Sequence, residues 1–308
     1  MMASSPVVII GSITMDLVVR TPYIPVGGQT VSGRGFTAIA GGKGANQAVA
    51  VARLGEPAVM IGRVGDDAFG ATLLCDLKSN GVDCTWVQST PGVASGITVI
   101  SVSDSGEKAV TVVGGANLLV TPTDVDAAQE VIKKARICLL QLEIPLETVK
   151  HAIEVCRRHG VETVLETAPV PRDGLPDSLL QADVVSLNDQ EAAQLTGLSA
   201  IKSPAAIAAA LSKRGCRSVV LKLGQHGAYV FSPEGESAVP GFAVRVVDTT
   251  AAGEAFTAAL AVARSWGWKL IEAIRFANAA GALACTRTGA QRSMPALSEV
   301  EALLAGQP

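Results

Sequence analysis

From residue 58 onward, short apolar runs alternate with longer segments of helix-forming residues, and this alternation restricts the possible folds more than any other feature. The apolar runs predict strands near residues 58–62, 136–142, 162–167, 182–187 and 217–223. The other segments predict helices near residues 67–80, 123–134, 146–159, 203–214, 251–266, 270–287 and 297–305. Strands and helices that alternate in this way form a mainly parallel sheet with helices on both faces. We therefore predict an α/β fold, with residues 1–308 in a single domain.

Two segments fall outside this alternation and predict a small β-sheet beside the main one. The first covers about residues 14–39, in which residues 30–32 and 35–39 have the composition of strands. The second covers about residues 96–113 and is typical of a hairpin that turns at residues 104–107. The small sheet is expected to be an appendage of the main domain.

Charge, hydropathy and cysteine usage exclude several classes of protein. The net charge is −3 at pH 7 and no basic tract occurs, which argues against a nucleic acid as partner. No stretch reaches the ~18 apolar residues of a membrane span, and the first residues lack the basic region of a signal peptide. The 6 cysteines are scattered, without a C-x-x-C pair, so we expect reduced thiols. These observations predict a cytoplasmic protein with no nucleic-acid or membrane partner.

Near residue 240 the chain passes from an alternating apolar run, residues 242–247, to the heptapeptide Asp-Thr-Thr-Ala-Ala-Gly-Glu at residues 248–254. An alanine-rich helical segment follows, so we interpret the region as strand, turn and helix. Residues 251–253 have almost no side-chain bulk, so a ligand can approach the first free amides of the helix. Those amides carry the positive end of the helix dipole, and the turn is therefore a candidate anion-binding site.

An acidic residue, Glu254, follows directly and would place a carboxylate beside such an anion. This arrangement suits a base that accepts the proton of a hydroxyl attacking a phosphate. The residues alone also allow a simpler interpretation, in which Asp248 or Thr249 caps the helix and Glu254 stabilises its first turn.

The heptapeptide at residues 248–254 resembles the C-terminal signature of the ribokinase-like (PfkB) carbohydrate kinases. Gly-Gly-Lys-Gly-Ala-Asn-Gln at residues 41–47 resembles the N-terminal signature of the same family, and the resemblance extends from about residue 6 to about residue 296. It implies a ribokinase-like α/β fold, ATP as phosphoryl donor and a sugar as acceptor. Within the family, Gly11-Ser12 and Asp16 point to the ribokinases, which implies phosphorylation of D-ribose to D-ribose 5-phosphate.

The resemblance also implies the roles at the reacting centre, where the family uses an aspartate as base and this chain has Glu254. The main-chain amides of Ala251, Ala252 and Gly253 would hold the developing phosphate charge. Glu254→Asp should raise turnover if the pocket still suits an aspartate, and lower it if neighbours have adapted to the longer side chain. We favour the first outcome, because the flanking residues show no compensating change. A related kinase for another sugar or a nucleoside, and a sugar- or nucleotide-binding protein with weakened catalysis, stay open as alternatives.

The sugar-binding positions implied by the resemblance lie mostly near the N-terminal signature. They are Thr14, Asp16, Gly41, Gly42, Lys43, Asn46, Glu143 and Glu254. Thr14 departs from the family, which often has asparagine there. From the residues alone, Asp16 could instead cap a turn and Glu143 could be an ordinary loop carboxylate.

The implied ATP-binding positions lie in the second half of the chain. They are Asn188, Lys222, Gly224, Gln225, His226, Gly227, Gly253 and Asn278. Asn188 and Glu191 match the family's Asn-x-x-Glu motif and would organise Mg²⁺ through its waters. Spaced three apart, they could equally be the capped first turn of a helix.

The resemblance further implies an activating K⁺ and a homodimer. The K⁺ ligands would be supplied by Asp248, Thr250, Ala284, Arg287, Gly289 and Ser293, mostly through main-chain oxygens. The small sheet would act as a lid over the sugar and as the dimer interface.

Overall fold

The computed structural model describes residues 5–306. The strands are β1 (Val7–Ile10), β2 (Thr14–Thr21), β3 (Gly35–Gly41), β4 (Ala58–Gly65), β5 (Val82–Thr90), β6 (Gly96–Ser103), β7 (Lys108–Val113), β8 (Ile137–Leu140), β9 (Glu162–Glu166), β10 (Val184–Asn188), β11 (Val219–Lys222), β12 (Ala228–Ser232) and β13 (Gly235–Val239). The helices are α1 (Lys43–Arg53), α2 (Ala68–Ser79), α3 (Pro122–Ala127), α4 (Gln129–Ile132), α5 (Leu146–His159), α6 (Asp189–Thr196), α7 (Pro204–Lys213), α8 (Ala252–Ser265), α9 (Leu270–Ala284) and α10 (Leu297–Gly306).

The main sheet has nine strands in the order β13-β12-β11-β10-β9-β8-β1-β4-β5. All neighbouring pairs from β11 to β5 are parallel, and β12 and β13 extend the edge in antiparallel pairing. After β1 the chain continues to β4 on one side, and it later returns to β8 on the other side. The carboxyl ends of β1 and β8 therefore flank a topological switch point, where open α/β sheets bind ligands.

Successive residues of β1 point to opposite faces of the sheet, and each face has its own apolar core. Val7 and Ile9 pack in the core that includes residues of α1, α2, α8, α9 and α10. Val8 and Ile10 pack in the core that includes residues of α3, α4, α5, α6 and α7. This confirms the predicted α/β fold with helices on both faces. Within residues 5–306 no helix combines the length and the apolar character needed to cross a membrane.

The small sheet has four strands in the order β3-β2-β6-β7, and it corresponds to the two segments that fall outside the α/β alternation. Several of its apolar side chains face solvent, among them Phe36, Val110 and Val112, which are 65%, 57% and 58% exposed. The predicted strand at residues 30–32 was wrong. Those residues are not in a strand and are intermediate or exposed, because β2 pairs directly with residues 35–41 instead.

Two further predictions differ from the structure, and three strands were not predicted. Residues 242–247 alternate like a strand but have no strand assignment, because Pro240 and Gly241 end β13 and no other strand pairs with the segment. The predicted helix at 123–134 consists of the two short helices α3 and α4. Strands β5, β12 and β13, all toward the edges of the sheet, were not predicted; β5 and β13 are partly polar, whereas β12 is a short apolar run.

Candidate active site

The N-terminus of α8 is uncapped by any side chain in the described structure. Ala251 stands at the N-cap position in the left-handed conformation, with φ of 59°. The simpler interpretation of the sequence, a cap by Asp248 or Thr249, was wrong. Asp248 Oδ1 instead accepts hydrogen bonds from Thr250 N at 3.0 Å and from Thr250 Oγ1 at 2.6 Å. The amides of the first turn are therefore not covered by a side-chain cap, as an anion-binding site requires.

The glycines of the N-terminal signature allow the start of α1 to approach β2 closely. Gly42 has φ of 94°, and a Cβ atom there would lie 2.8 Å from Thr14 N. A Cβ atom on Gly41 would lie 2.3 Å from Asp16 Oδ2. Any larger residue at either position would force the two segments apart, so the glycines fix the position of Lys43 at the start of α1.

Four charged residues meet at the switch point, and we call Asp16, Lys43, Glu143 and Glu254 the acceptor side. Lys43 Nζ lies 2.9 Å from Glu254 Oε1, and Lys43 N donates to Glu143 Oε2 at 3.2 Å. The hydroxyl of Ser12 also donates to the carboxylate of Glu143. Within residues 5–306, the hydrogen bond from Lys43 is the one that reaches the carboxylate of Glu254. Residues more than 200 positions apart in the chain thus share one site.

Burial and neighbouring charges shift the pKa values on the acceptor side. Burial raises the pKa of Asp16 to about 6, against the hydrogen bonds from Thr14 and Thr98 that lower it. Burial alone would lower the pKa of Lys43, but the nearby carboxylates, Glu254 foremost, raise it. The ammonium of Lys43 therefore keeps its charge over the whole physiological range.

Asn46 lies on α1, one turn after the signature glycines, and is 6% exposed. Its Oδ1 atom is buried and has no hydrogen-bond partner within the described chain. Buried acceptors are rarely left without a donor, so this atom is available to a ligand or a water molecule.

On the other side of the first turn of α8 lies a cavity of about 760 Å³, which we call the nucleotide side. Seven of the eight predicted ATP-binding positions line it, namely Lys222, Gly224, Gln225, His226, Gly227, Gly253 and Asn278. Its wall also contains part of the irregular segment 242–247. Asn278 Nδ2 donates to the main-chain oxygens of Val239 and Pro240, at 3.1 Å each, and so fixes the loop after β13.

The eighth predicted position, Asn188, does not line this cavity but caps α6. Its side chain accepts from Glu191 N at 2.9 Å, and the carboxylate of Glu191 accepts from Asn188 N at 2.8 Å and from Nδ2 at 2.7 Å. This is the capped first turn that the residues alone allowed. Burial raises the pKa of Glu191, while Lys222 lowers it. No group of three or more possible His, Cys, Asp or Glu metal ligands occurs among residues 5–306.

The predicted cation loop packs directly against the start of the α8 turn. The amides of Val247 and Asp248 donate to Cys285 O at 2.8 and 3.2 Å, and Gly289 N donates to Asp248 Oδ2 at 3.0 Å. In the same loop, the side chain of Gln291 is buried and both of its polar atoms lack a partner within the described residues. The structure therefore brings Asp248 against residues 284–293, while Thr250 is bonded to Asp248.

Glu166, at the end of β9, is not among the site residues predicted from the sequence. Its Oε1 lies 2.6 Å from Lys222 Nζ, its Oε2 accepts from Gln47 Nε2 at 2.7 Å, and it is 2% exposed. Burial opposes ionisation, but Lys222 and Lys43 lower the pKa of Glu166, which therefore stays charged. An acidic residue at the carboxyl end of a buried strand was the signal that could have identified it.

The comparisons with known proteins agree with this geometry. The model of the pfkB family carbohydrate kinases matches residues 4–297. The chain is 40% identical to a ribokinase of Schizosaccharomyces pombe over 96% of both chains. It is 34% identical to a deoxyribokinase of Salmonella typhi, over 95% of this chain and 96% of the relative.

Among solved structures, the ribokinase of Arabidopsis thaliana complexed with ribose and ATP is similar to this chain. The TM-score is 0.89 at 34% identity, and the match covers 98% of this chain and 99% of the other. The two signatures, the arrangement of the sheets and these similarities agree with one another. The chain belongs to the pfkB family of carbohydrate kinases.

Proposed function

We propose that the protein is an ATP-dependent ribokinase, which transfers the γ-phosphoryl group of ATP to the primary hydroxyl of D-ribose. The observation that carries the proposal is the position of the first turn of α8. The acceptor side and the nucleotide side meet there, with Glu254 at the junction. The similarity to ribokinases over nearly the whole chain supports ribose as the acceptor and ATP as the donor.

Glu254 is the general base in this proposal. Its carboxylate takes the proton of the primary hydroxyl while the oxygen of that hydroxyl attacks the γ-phosphorus in line with the leaving ADP oxygen. The hydrogen bond from Lys43 at 2.9 Å holds the carboxylate in place. The sugar is oriented by Asp16, Glu143 and the free acceptor of Asn46, because carboxylate and amide oxygens accept hydrogen bonds from sugar hydroxyls.

The charge that develops on the transferred group is stabilised at the start of α8. We assign the anion hole to the main-chain amides of Ala251, Ala252 and Gly253, because the turn has no side-chain cap and carries the positive end of the helix dipole. The amide of Ala252 also donates to Thr249 O, at 3.3 Å. We place the adenosine part of ATP against residues 224–227 and Asn278.

Mg²⁺ fits Asn188 and Glu191 only through its waters, because their side-chain atoms already form the α6 cap. Each carboxylate oxygen of Glu191 retains a lone pair for a metal-bound water, and Mg²⁺ commonly keeps several waters. The ion neutralises charge on the nucleotide phosphates. K⁺ fits the loop at 284–293, where the buried side-chain oxygen of Gln291 has no partner within the described residues. Asp248, Thr250, Ala284, Arg287, Gly289 and Ser293 would hold it.

We further propose that the chain is one domain in which the small sheet is a lid over the sugar and a homodimer interface. The exposed apolar side chains of β3 and β7 support the interface, because a second copy would remove them from water. A cytoplasmic location is consistent with the unpaired cysteines. Size-exclusion chromatography with light scattering tests the dimer: the native chain should show the dimer mass and Val110→Glu the monomer mass. A monomer mass for the native chain at high concentration, or an unchanged dimer mass after Val110→Glu, would overturn this interface.

The deciding experiment measures ADP release with ATP and each of ribose, 2-deoxyribose, fructose, adenosine and other nucleosides. Ribose should give the highest kcat/KM. The deoxyribokinase relative makes 2-deoxyribose the second candidate, since it differs by one hydroxyl. Much faster turnover of another acceptor would replace ribose in the proposal. Binding of ribose and ATP without turnover of any acceptor would support the alternative of a binding protein with weakened catalysis.

A further inference from the structure

Glu166 belongs to neither signature, yet its carboxylate is the most buried of the charged groups around the start of α8. Lys222 Nζ donates to its Oε1 at 2.6 Å, and Gln47 Nε2 donates to its Oε2 at 2.7 Å. Gln141 Nε2 in turn donates to Gln47 Oε1 at 2.6 Å and fixes the amide orientation. Both carboxylate oxygens are thus held by separate donors, so the carboxylate has one defined position.

This position of the Glu166 carboxylate places the ammonium of Lys222 at the anion hole. A Cβ atom built on Gly253 would lie 3.4 Å from Lys222 Nζ and 3.3 Å from Glu166 Oε1. The ion pair therefore lies against the first turn of α8, where the transferred group would be held. Lys222 also lines the nucleotide side, and its side chain is 11% exposed.

An ammonium next to the positive end of a helix is unfavourable unless negative charge accompanies it. Glu166 supplies that charge before a ligand arrives. An ammonium has three N–H groups, and within residues 5–306 the hydrogen bond to Glu166 uses one of them. The remaining donors of Lys222 can bind an anion at the anion hole without breaking the ion pair.

We propose that Lys222 is a catalytic residue that binds the γ-phosphoryl group during transfer, and that Glu166 is the positioning residue that holds its ammonium at the anion hole. This rests on the proposed kinase function. As the bond from the γ-phosphorus to the ADP oxygen breaks and the bond to the sugar oxygen forms, the hydroxyl proton passes to Glu254. Lys222 keeps its protons throughout and stabilises the charge on the equatorial oxygens.

The test compares two nucleotides that differ in the γ-phosphate. Lys222→Met should lower kcat about 100-fold, as removal of one oxyanion donor does elsewhere, with little change in the KM for ribose. Calorimetry should show weaker binding of AMP-PNP, which carries a γ-phosphate, and unchanged binding of ADP. Lys222→Arg should retain more activity than Lys222→Met, because it keeps a donor and a positive charge.

Glu166→Gln preserves the shape of the side chain but not its charge, and should lower kcat with a similarly selective loss of AMP-PNP binding. Either single variant leaves a buried charge unpaired, which is itself destabilising. The double variant Lys222→Met with Glu166→Gln removes both charges, so it tests the binding of the γ-phosphoryl group without an unpaired charge. Lys213→Met, at the exposed end of α7, is the matched control and should change none of these values.

The proposal would be overturned by a double variant that keeps the wild-type kcat and the wild-type ratio of AMP-PNP affinity to ADP affinity. Equal losses of ADP and AMP-PNP binding with a lower melting temperature would also overturn it, since they indicate a structural ion pair. The binding comparison needs no turnover. It therefore remains decisive if the wild-type protein phosphorylates no sugar and the proposed function fails.

Discussion

Two partly buried ion pairs flank the start of α8, and they differ in degree of burial and in whether the two signatures contain them. On the acceptor side, Lys43 and Glu254 lie 2.9 Å apart, with side chains 24% and 11% exposed. On the nucleotide side, Lys222 and Glu166 lie 2.6 Å apart, with side chains 11% and 3% exposed. The acceptor-side pair is the more accessible of the two, which is what the proposed proton transfer from a substrate to Glu254 requires.

The two signatures contain both residues of one ion pair, but they do not contain the pairing of the other. Lys43 lies in the N-terminal signature and Glu254 in the C-terminal one, so the resemblance identifies both residues. Only the folded chain brings them into contact. Lys222 and Glu166 end two strands of the main sheet, β11 and β9, with β10 between them. Their pairing follows from strand order, which no short motif contains.

Substituting Glu254, the proposed base in the acceptor-side pair, should have the largest effect on kcat. Glu254→Gln keeps the shape of the side chain but cannot accept the hydroxyl proton, so we expect kcat to fall by about 10³-fold. Rapid-quench measurement of a single turnover checks this, with ADP affinity as the control for an intact nucleotide side. If the variant retains most of the activity, Glu254 is not the base.

Shortening the base should have a smaller effect, and the structure changes its expected direction. The sequence alone favours faster turnover for Glu254→Asp. The hydrogen bond from Lys43 at 2.9 Å is a compensating contact that the sequence did not show, and an aspartate would lengthen it. We now expect turnover to fall by up to ~10²-fold, because a displacement of about 1 Å can cost that much. Faster turnover of this variant under saturating ribose and ATP would restore the earlier expectation.

Substitution of Asp16 tests the proposed sugar contacts of the acceptor side separately from the ion pair between Lys43 and Glu254. Asp16→Ala should lower kcat/KM for ribose more than tenfold, because removing a charged hydrogen-bond partner costs ~1.5–3 kcal/mol. An unchanged kcat/KM would remove Asp16 from the sugar site. Asp16→Asn separates loss of charge from loss of the side chain.

The raised pKa of Asp16, about 6 against an ordinary value of 3.8, adds a pH dependence. Between pH 4 and 6 the folded state binds more protons than the unfolded state, so the free energy of unfolding should fall as the pH rises through this window. Urea unfolding of the wild-type protein and of Asp16→Asn at pH 4, 5, 6 and 7 checks this. The fall should be smaller in the variant, and equal curves would show that Asp16 is not the group responsible.

The smallest expected effect concerns the cation loop, which contacts the α8 turn without joining either ion pair. Replacing K⁺ by Na⁺ or a large organic cation at equal ionic strength should lower kcat severalfold, because the cation would shape the turn that carries the anion hole. The rate of ADP release checks this. Equal rates in all three salts would remove the cation from the proposed function.

Much of the fold could be predicted because the parallel strands are nearly continuous apolar runs separated by helices. The pattern failed where tertiary context decides the structure. Residues 242–247 alternate like a strand but find no partner, and β12 and β13 are paired only because they are added to the edge next to β11.

Candidate site residues could be proposed from the sequence where they lie in short motifs, but not where their neighbours depend on strand order. The sequence suggested that the start of α8 has no side-chain cap, but it also allowed a cap by Asp248 and could not decide between the two. Asn188 and Glu191 show the opposite case, because the cap that the residues suggest is present. Glu166 escaped notice because a strand residue gives no local sign of which strand lies beside it.

Almost all of α8 is buried, and most of its buried residues are small. It packs against both α1 and α9, so residues such as Ala255, Ala258 and Ala259, each 0% exposed, have no room for a larger side chain. In a saturation scan of the chain, these positions should tolerate few substitutions even though they contact no substrate. A change of acceptor preference should therefore be easier to make in the small sheet and in the loops at strand ends than along the buried length of α8.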